Sequence, residues 1–344
     1  MATAAAVAVS PTGWLRSREF DGWFIFGVAA LALASGLLAA LIPALFLPIL
    51  LLDLWLLGYH HVVATYTRLC FDRKSFAEHQ VLVLWLPLGV VVAVIALFLA
   101  FGAWALATIY LYWQWFHYTR QSWGISNAYR RKAGDRAIPT PRLDLAAMYL
   151  LPLWGILHRS HQAPETFLGL ELRTVPVPGL LVDVVGVAAI VALALWLATR
   201  IMAWRNGRLP LAHTAYVASH FVIFYVGYIA IEQINPGWLV LNVWHNAQYV
   251  LFVWLFNTNR FKGGVDPQAR FLSTISQPKN AWRYFGCCLA ISTLIYGAIK
   301  VAVPLGALVV VYQTINFHHY IVDALIWKLR RKEVGAKLGL SPTA

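Results

Sequence analysis

The most chemically loaded stretch of this sequence is its last apolar segment, Gln313 to Lys328, which reads QTINFHHYIVDALIWK. Asn316, His319 and Asp323 fall at i, i+3 and i+7, so a helix carries them on one stripe, with His318 about 100° round from His319. Ionisable side chains inside an apolar helix are costly, and in a membrane bundle they face the interior and mark functional positions. The same pattern recurs in shorter form at Tyr59-His60-His61, Phe116-His117-Tyr118 and Trp244-His245-Asn246. Another apolar segment holds His213 and His220 at i and i+7.

Neutral imidazole is a common transition-metal ligand, and a ligating ring usually donates its other N–H to a carboxylate, carbonyl or amide. The candidate ligands are His60, His61, His117, His213, His220, His245, His318 and His319. Asp53, Gln114, Asn242, Asn316 and Asp323 are the groups available to hold their outer N–H bonds. So many imidazoles exceed the needs of one tetrahedral or octahedral ion and suit two transition-metal ions. Nitrogen-rich coordination with few intramembrane carboxylates points to iron first, with copper or zinc as alternatives, and away from magnesium or calcium. The adjacent rings of His60/His61 and His318/His319 diverge, so each pair either serves two neighbouring ions or ligates with one ring and hydrogen-bonds with the other.

Apolar helices must position these residues, and the composition supplies them. The chain has 344 residues, 60% of them hydrophobic and 12% charged, with a mean hydropathy of +0.65. That describes an all-α, polytopic integral membrane protein. Windows long enough to span a bilayer, about 20 residues, fall at 23–41, 44–69, 81–101, 104–126, 143–158, 179–203, 211–234, 237–258, 281–301 and 304–327. The expectation is a bundle of about ten transmembrane helices around a histidine-lined chamber. Pro43, Gly102, Pro178, Pro210, Pro236 and Pro304 stand near the boundaries, where helices start and break. The window 143–158 is short and contains Pro152, which suggests a half-span or an interfacial helix.

A net charge of +13 would suit a nucleic-acid binder, but the basic residues occupy short loops between spans, where topology explains them. Every second loop is basic, as at Arg68, Arg73 and Lys74; Arg130, Arg131, Lys132 and Arg136; Arg200, Arg205 and Arg208; and Arg260, Lys262, Arg270 and Lys279. Arg16 and Arg18 mark one terminus, and Lys328, Arg330, Arg331 and Lys332 the other. The opposite loops hold little beyond Arg159 and Arg173. The positive-inside rule then puts both termini in the cytoplasm. The expected organisation is a disordered cytoplasmic tail over 1–20, one transmembrane domain over 21–330 and a cytoplasmic tail over 331–344. In this topology the eight candidate ligands share the cytoplasmic half of the membrane, whereas His79, His158 and His161 read as surface residues. Cys70, Cys287 and Cys288 read as packing thiols.

In histidine number and in placement toward one membrane face, the chain resembles the membrane di-iron oxygenases, the desaturase, hydroxylase and alkane-monooxygenase group. The HxxxH and HxxHH boxes of those families are absent; the histidines stand singly or in pairs over five spans. The segment WHNAQYVLFVW, Trp244 to Trp254, is similar to the Trp-His helix of membrane-bound O-acyltransferases, which implies a catalytic His245. The foremost expectation is an integral-membrane, metal-dependent oxidoreductase with a histidine-ligated di-iron centre, acting on a hydrophobic small molecule or lipid and supplied by an electron-donor protein. A metal or proton transporter with histidine relays and a haem protein with paired axial histidines are the rivals. The bilayer is the certain partner in each case, and nucleic acid is not expected. Topology is testable alone: single cysteines placed near Arg131 and near Glu171 should label from opposite sides of the membrane, and labelling from one side would overturn the shared depth of the histidines.

Overall fold

A computed structural model of the chain describes residues 13–134, 140–329 and 331–340. The expected tail residues 1–12 and 341–344, and the loop residues Arg136 and Arg330, lie outside the described residues. The long helices are α1 (Arg18–Leu41), α2 (Pro43–Leu69), α3 (Arg73–Phe101), α4 (Ala103–Ala133), α5 (Pro141–Gln162), α6 (Gly179–Arg205), α7 (Leu211–Tyr225), α8 (Ile234–Arg260), α9 (Pro278–Ala302) and α10 (Leu305–Ile326). A short helix, α11 (Lys332–Lys337), follows.

Among the described residues, 6 helices are long and apolar enough to cross a membrane: α1, α2, α3, α6, α8 and α9. The other expected windows also fall on helices. Their mean hydropathy is depressed by the residues that carry the chemistry, such as Gln114 and His117 in α4 and Asn316, His318 and His319 in α10. The window containing Pro152 is not broken. α5 runs for 22 residues, about 33 Å at 1.5 Å per residue. The Met148 carbonyl, which Pro152 cannot serve for want of an N–H, accepts instead from His220 Nε2 at 3.1 Å. The Pro152 carbonyl accepts from Trp115 Nε1 at 2.7 Å.

α8 is the centre of the bundle, with 94% of its apolar window buried against 11% for α3. A helix enclosed on all sides must be apolar all round or pair every polar group it carries. It lies close against α1, where a methyl added to Gly36 would overlap Val240 and the Pro236 carbonyl. Its start is held by Arg159, whose buried guanidinium donates to the carbonyls of Gly227, Ile231 and Glu232, where α7 gives way to a π-turn and ends. Arg159 therefore satisfies a broken helix end, which explains this exception to the charge pattern of the loops.

The described residues nearest the two ends of the chain pack against the bundle. Asp21 accepts from the amides of Leu15, Arg16 and Ser17 at 3.0, 3.0 and 3.1 Å, and from the Tyr129 hydroxyl at 2.6 Å. At the other end, Val334, Leu338 and Leu340 are buried against the bundle. Between α5 and α6 a two-stranded antiparallel hairpin pairs Thr166 with Glu171 and Phe167 with Leu170. Leu168 and Gly169 form its turn at φ 50° and 80°, the left-handed backbone of a tight hairpin turn.

Close approach of α1 and α8 gives a stability test. Gly36→Ala should cost about 1–3 kcal/mol as overpacking, read as a lower thermal midpoint in detergent. Gly89→Ala, whose methyl would meet nothing within 4 Å, should leave the midpoint in place.

Candidate metal centre

Four of the expected imidazoles meet, one from each of four helices: His61 on α2, His117 on α4, His245 on α8 and His319 on α10. Their ring centroids stand 4.6 Å apart for His61 and His319, 5.4 Å for His61 and His245, 4.9 Å for His117 and His245 and 5.3 Å for His117 and His319. All four are buried. Asp323, one turn beyond His319, closes the group with Oδ2 3.3 Å from His319 Nε2 and 3.8 Å from His117 Nε2. Ligand atoms of His61, His245 and His319, and separately of His117, His319 and Asp323, all lie within 4.8 Å of one another.

A π-turn decides which histidine of α2 faces inward. On an uninterrupted α-helix Asp53 and His60, seven residues apart, share a face. The π-turn Leu54–Gly58 holds one extra residue in the turn and advances the register, so His61 takes the place beside Asp53 toward α8. His60 is turned away, with Nδ1 donating to the Leu56 carbonyl at 3.1 Å and its ring against Phe285.

The protonation pattern follows from the hydrogen bonds. Trp327 Nε1 and Thr65 Oγ1 both donate to the Tyr249 hydroxyl, at 3.0 and 2.8 Å, and Tyr249 donates to Asp323 Oδ1 at 2.6 Å. The Thr65 proton being so used, its oxygen is free to accept from His319 Nδ1 at 3.2 Å. That assignment leaves His319 Nε2 with its lone pair directed at His61 and Asp323. The chain His319, Thr65, Tyr249, Asp323 thus begins and ends on a donor of the site.

The unpartnered atoms carry the metal argument. His61 Nε2 and His319 Nε2 stand 3.1 Å apart, a separation that an N–H···N bond would explain. It is also near the spacing of about 3.3 Å between neighbouring nitrogens that each lie about 2.0–2.1 Å from one tetrahedral ion. One hydrogen bond cannot account for the remainder: both nitrogens of His245, His117 Nε2, His61 Nδ1 and Asp323 Oδ2 are buried without a hydrogen-bond partner. Leaving so many polar atoms unpaired around one point costs about 1–3 kcal/mol each, and a cation there satisfies those that face it together. Four imidazoles and one carboxylate suit a single transition-metal ion.

The other expected ligands have work elsewhere. His220 Nε2 serves the Met148 carbonyl, and its Nδ1 lies 2.9 Å from Ser122 Oγ. His318 Nε2 donates to the Leu82 carbonyl at 2.7 Å and Nδ1 lies 3.3 Å from the Tyr66 hydroxyl. Leu82 sits in the π-turn Val81–Trp85, and Pro87 has no N–H to return to it. His213 Nε2 lies 3.1 Å from Ser126 Oγ, beside the buried Asp144–Arg200 ion pair. His60 Nε2 and His213 Nδ1 lack partners too, but neither joins a group of three donors among the described residues. The eight imidazoles therefore do not converge on one site: four meet and four stand elsewhere.

Nor do the expected partners of the outer N–H groups touch the rings directly. Asp53 accepts from Asn242 Nδ2 at 2.5 Å and Asn246 Nδ2 at 3.4 Å. Gln114 accepts from Trp238 Nε1 at 2.6 Å and donates to Tyr110 at 2.8 Å and to Tyr118. Tyr118 donates to Asn242 Oδ1 at 2.5 Å and stacks on His245 with centroids 4.1 Å apart. These residues fix the wall on which His245 rests. Asn316 reaches Gln313 at 3.4 Å and lines a cavity. Asp323 stands among the donors themselves, not behind them, and does not turn to Lys328. Thr65 and Tyr249 hold the outer bonds instead. Thr65 lies at i+4 from His61, a spacing visible in the sequence and passed over in favour of charged and amide groups.

Two cavities reach the donors from different directions. One, of 320 Å³, touches His117, Tyr249 and Asp323 and extends to Arg120 and Lys328. The other, of 290 Å³, touches His61 and His245 and is lined by Tyr59, Tyr296, Tyr312 and Asn316, with Leu168 of the hairpin among its walls. Comparison with protein-family models, curated proteins and solved structures finds no match for this chain.

Replacing His61, His117, His245 or His319 by alanine should strip the metal from purified protein. Replacing His60, His318, His213 or His220 should leave the metal content unchanged and lower thermal stability where a carbonyl loses its donor. Asp323→Asn should weaken retention of metal by at least about 10-fold, the lower end of what loss of even an outer partner of a metal site costs. Full occupancy in His245→Ala would remove the site as drawn.

Proposed function

We infer that this protein is an integral-membrane, metal-dependent oxidoreductase whose single histidine-ligated ion, iron foremost, acts on a hydrophobic small molecule or lipid. The observation that carries this reading is the convergence of four buried imidazoles and a carboxylate, of which His117 Nε2, both nitrogens of His245 and Asp323 Oδ2 have no hydrogen-bond partner. The basic loops and the ten helical windows support ten spans with both termini cytoplasmic, which puts the ion in the cytoplasmic half of the bilayer. His61, His117, His245, His319 and Asp323 would hold it. When bound, the ion would supply redox chemistry or Lewis acidity next to the two cavities.

The protein's own residues bind and orient. Thr65 and Tyr249 keep His319 and Asp323 in one protonation state, so that lone pairs and not protons face the centre. Tyr118 and Tyr320 stack on His245 and His117, at 4.1 and 4.4 Å, and exclude water from two ring faces. Tyr249 is also the hydroxyl nearest the carboxylate that could pass a proton, since it lines the larger cavity while bonded to Asp323. An electron-donor protein would be needed for reductive turnover.

A second reading, a metal or proton transporter, is favoured by one fact: the two cavities meet the donor cluster from different directions. Elemental analysis and flux separate the two readings. About one tightly held equivalent of iron per chain, with no metal or proton flux in proteoliposomes, supports the oxidoreductase. Absence of metal after metal-replete expression removes it, and uptake abolished by His245→Ala establishes transport in its place.

A further inference from the structure

The cavity that reaches His117 and Asp323 combines two chemistries. Its walls are largely apolar: Ile125 and Phe252 are buried, and Trp123 and Trp327 are half-buried. Asp323, the one acidic residue of the lining, is already bonded to Tyr249. Two cations also line it: the exposed Arg120, one turn beyond His117 on α4, and the half-buried Lys328, just after α10. Among the described residues neither side chain has a salt bridge or a hydrogen bond. Two unpaired cations on an apolar slot are the complement of an anionic head on a hydrocarbon tail.

We propose that this cavity binds a long-chain amphipathic anion, its charged head held by Arg120 and Lys328 and its tail among Trp123, Phe252 and Trp327. The head chemistry is a carboxylate or a phosphate, which a guanidinium and an ammonium can grip together. The volume of 320 Å³ lies at the lower end of the range for small-molecule pockets, about 300–1,000 Å³, which suits one acyl chain. That this ligand is the substrate rests on the metal centre; its binding does not.

The test uses full-length protein in phosphatidylcholine nanodiscs, titrated with dodecanoate, dodecyl phosphate and dodecan-1-ol. Partitioning into the disc is common to all variants and cancels in ratios between them. Dodecanoate or dodecyl phosphate should bind the wild type, and the double variant Arg120→Gln, Lys328→Gln should weaken that binding by at least about tenfold, as loss of two charge-assisted contacts requires. Its affinity for dodecan-1-ol, its metal content and its thermal midpoint should match the wild type. Discs containing phosphatidylglycerol distinguish the sources: competition identifies a lipid phosphate as the head, and its absence identifies a free acid. Equal binding of dodecanoate by wild type and double variant, or equal binding of dodecanoate and dodecan-1-ol by the wild type, would overturn the proposal. Repeating the titration on chelator-treated protein separates the two readings: binding retained by a chain that never holds metal would keep the anion site and remove the metal centre, and metal held without dodecanoate binding would do the reverse.

Discussion

A polar atom enclosed in an apolar bundle must find a partner, and the architecture of this protein follows from how its helices answer that constraint. α8 is buried on every side and still carries Asn242, His245, Asn246 and Tyr249. Each turn of it demands something complementary from a neighbour: Asp53 from α2 for Asn242 and Asn246, Tyr118 from α4 for Asn242, and Asp323 from α10 for Tyr249. At His245 neither ring nitrogen finds a protein partner, and beside it His117 Nε2 and Asp323 Oδ2 are unpartnered as well. An ion held there, as proposed above, would complete the accounting at this level of the central helix.

The network around the cluster is built to keep it rigid. On one side Thr65, Tyr249 and Trp327 lock His319 and Asp323; on the other Asp53, Asn242, Gln114 and Trp238 lock Tyr118, on which His245 rests. Orientation of ligands by packed partners is what makes a metal site selective in geometry. The cavities on the two flanks then decide access. One is lined in part by the unpaired cations Arg120 and Lys328 and the other by tyrosines and amides, so the surroundings of His117 and Asp323 differ chemically from those of His61 and His245.

The helical windows and the polar stripes were legible because apolar periodicity and composition are local properties. So was the divergence within His60/His61 and His318/His319, which the 100° step of a helix requires; that one ring of each pair faces the cluster and the other hydrogen-bonds to a carbonyl was one of the arrangements compatible with that step. Which ring turns inward was not legible, because the π-turn Leu54–Gly58 shifts the register between Asp53 and the histidines and leaves no mark in composition. His220 misled for a related reason. Its role is to serve a carbonyl stranded by Pro152 on a different helix, a tertiary debt that single-chain spacing does not display. Asp323 was found by its place on the stripe, but its part as a donor depends on His117 arriving from α4, and the binding of His319 by Thr65 depends on the crossing of α2 and α10.

The most direct measurement of the central claim is X-ray absorption at the metal edge of the purified protein. The account predicts a mononuclear centre with about four imidazole nitrogens, and one further nitrogen or oxygen, at about 2.0–2.2 Å, with the outer-ring scattering that imidazole ligands produce and its loss in His245→Ala. Sulfur neighbours, a second metal at short range, or a metal with oxygen ligands only would contradict it.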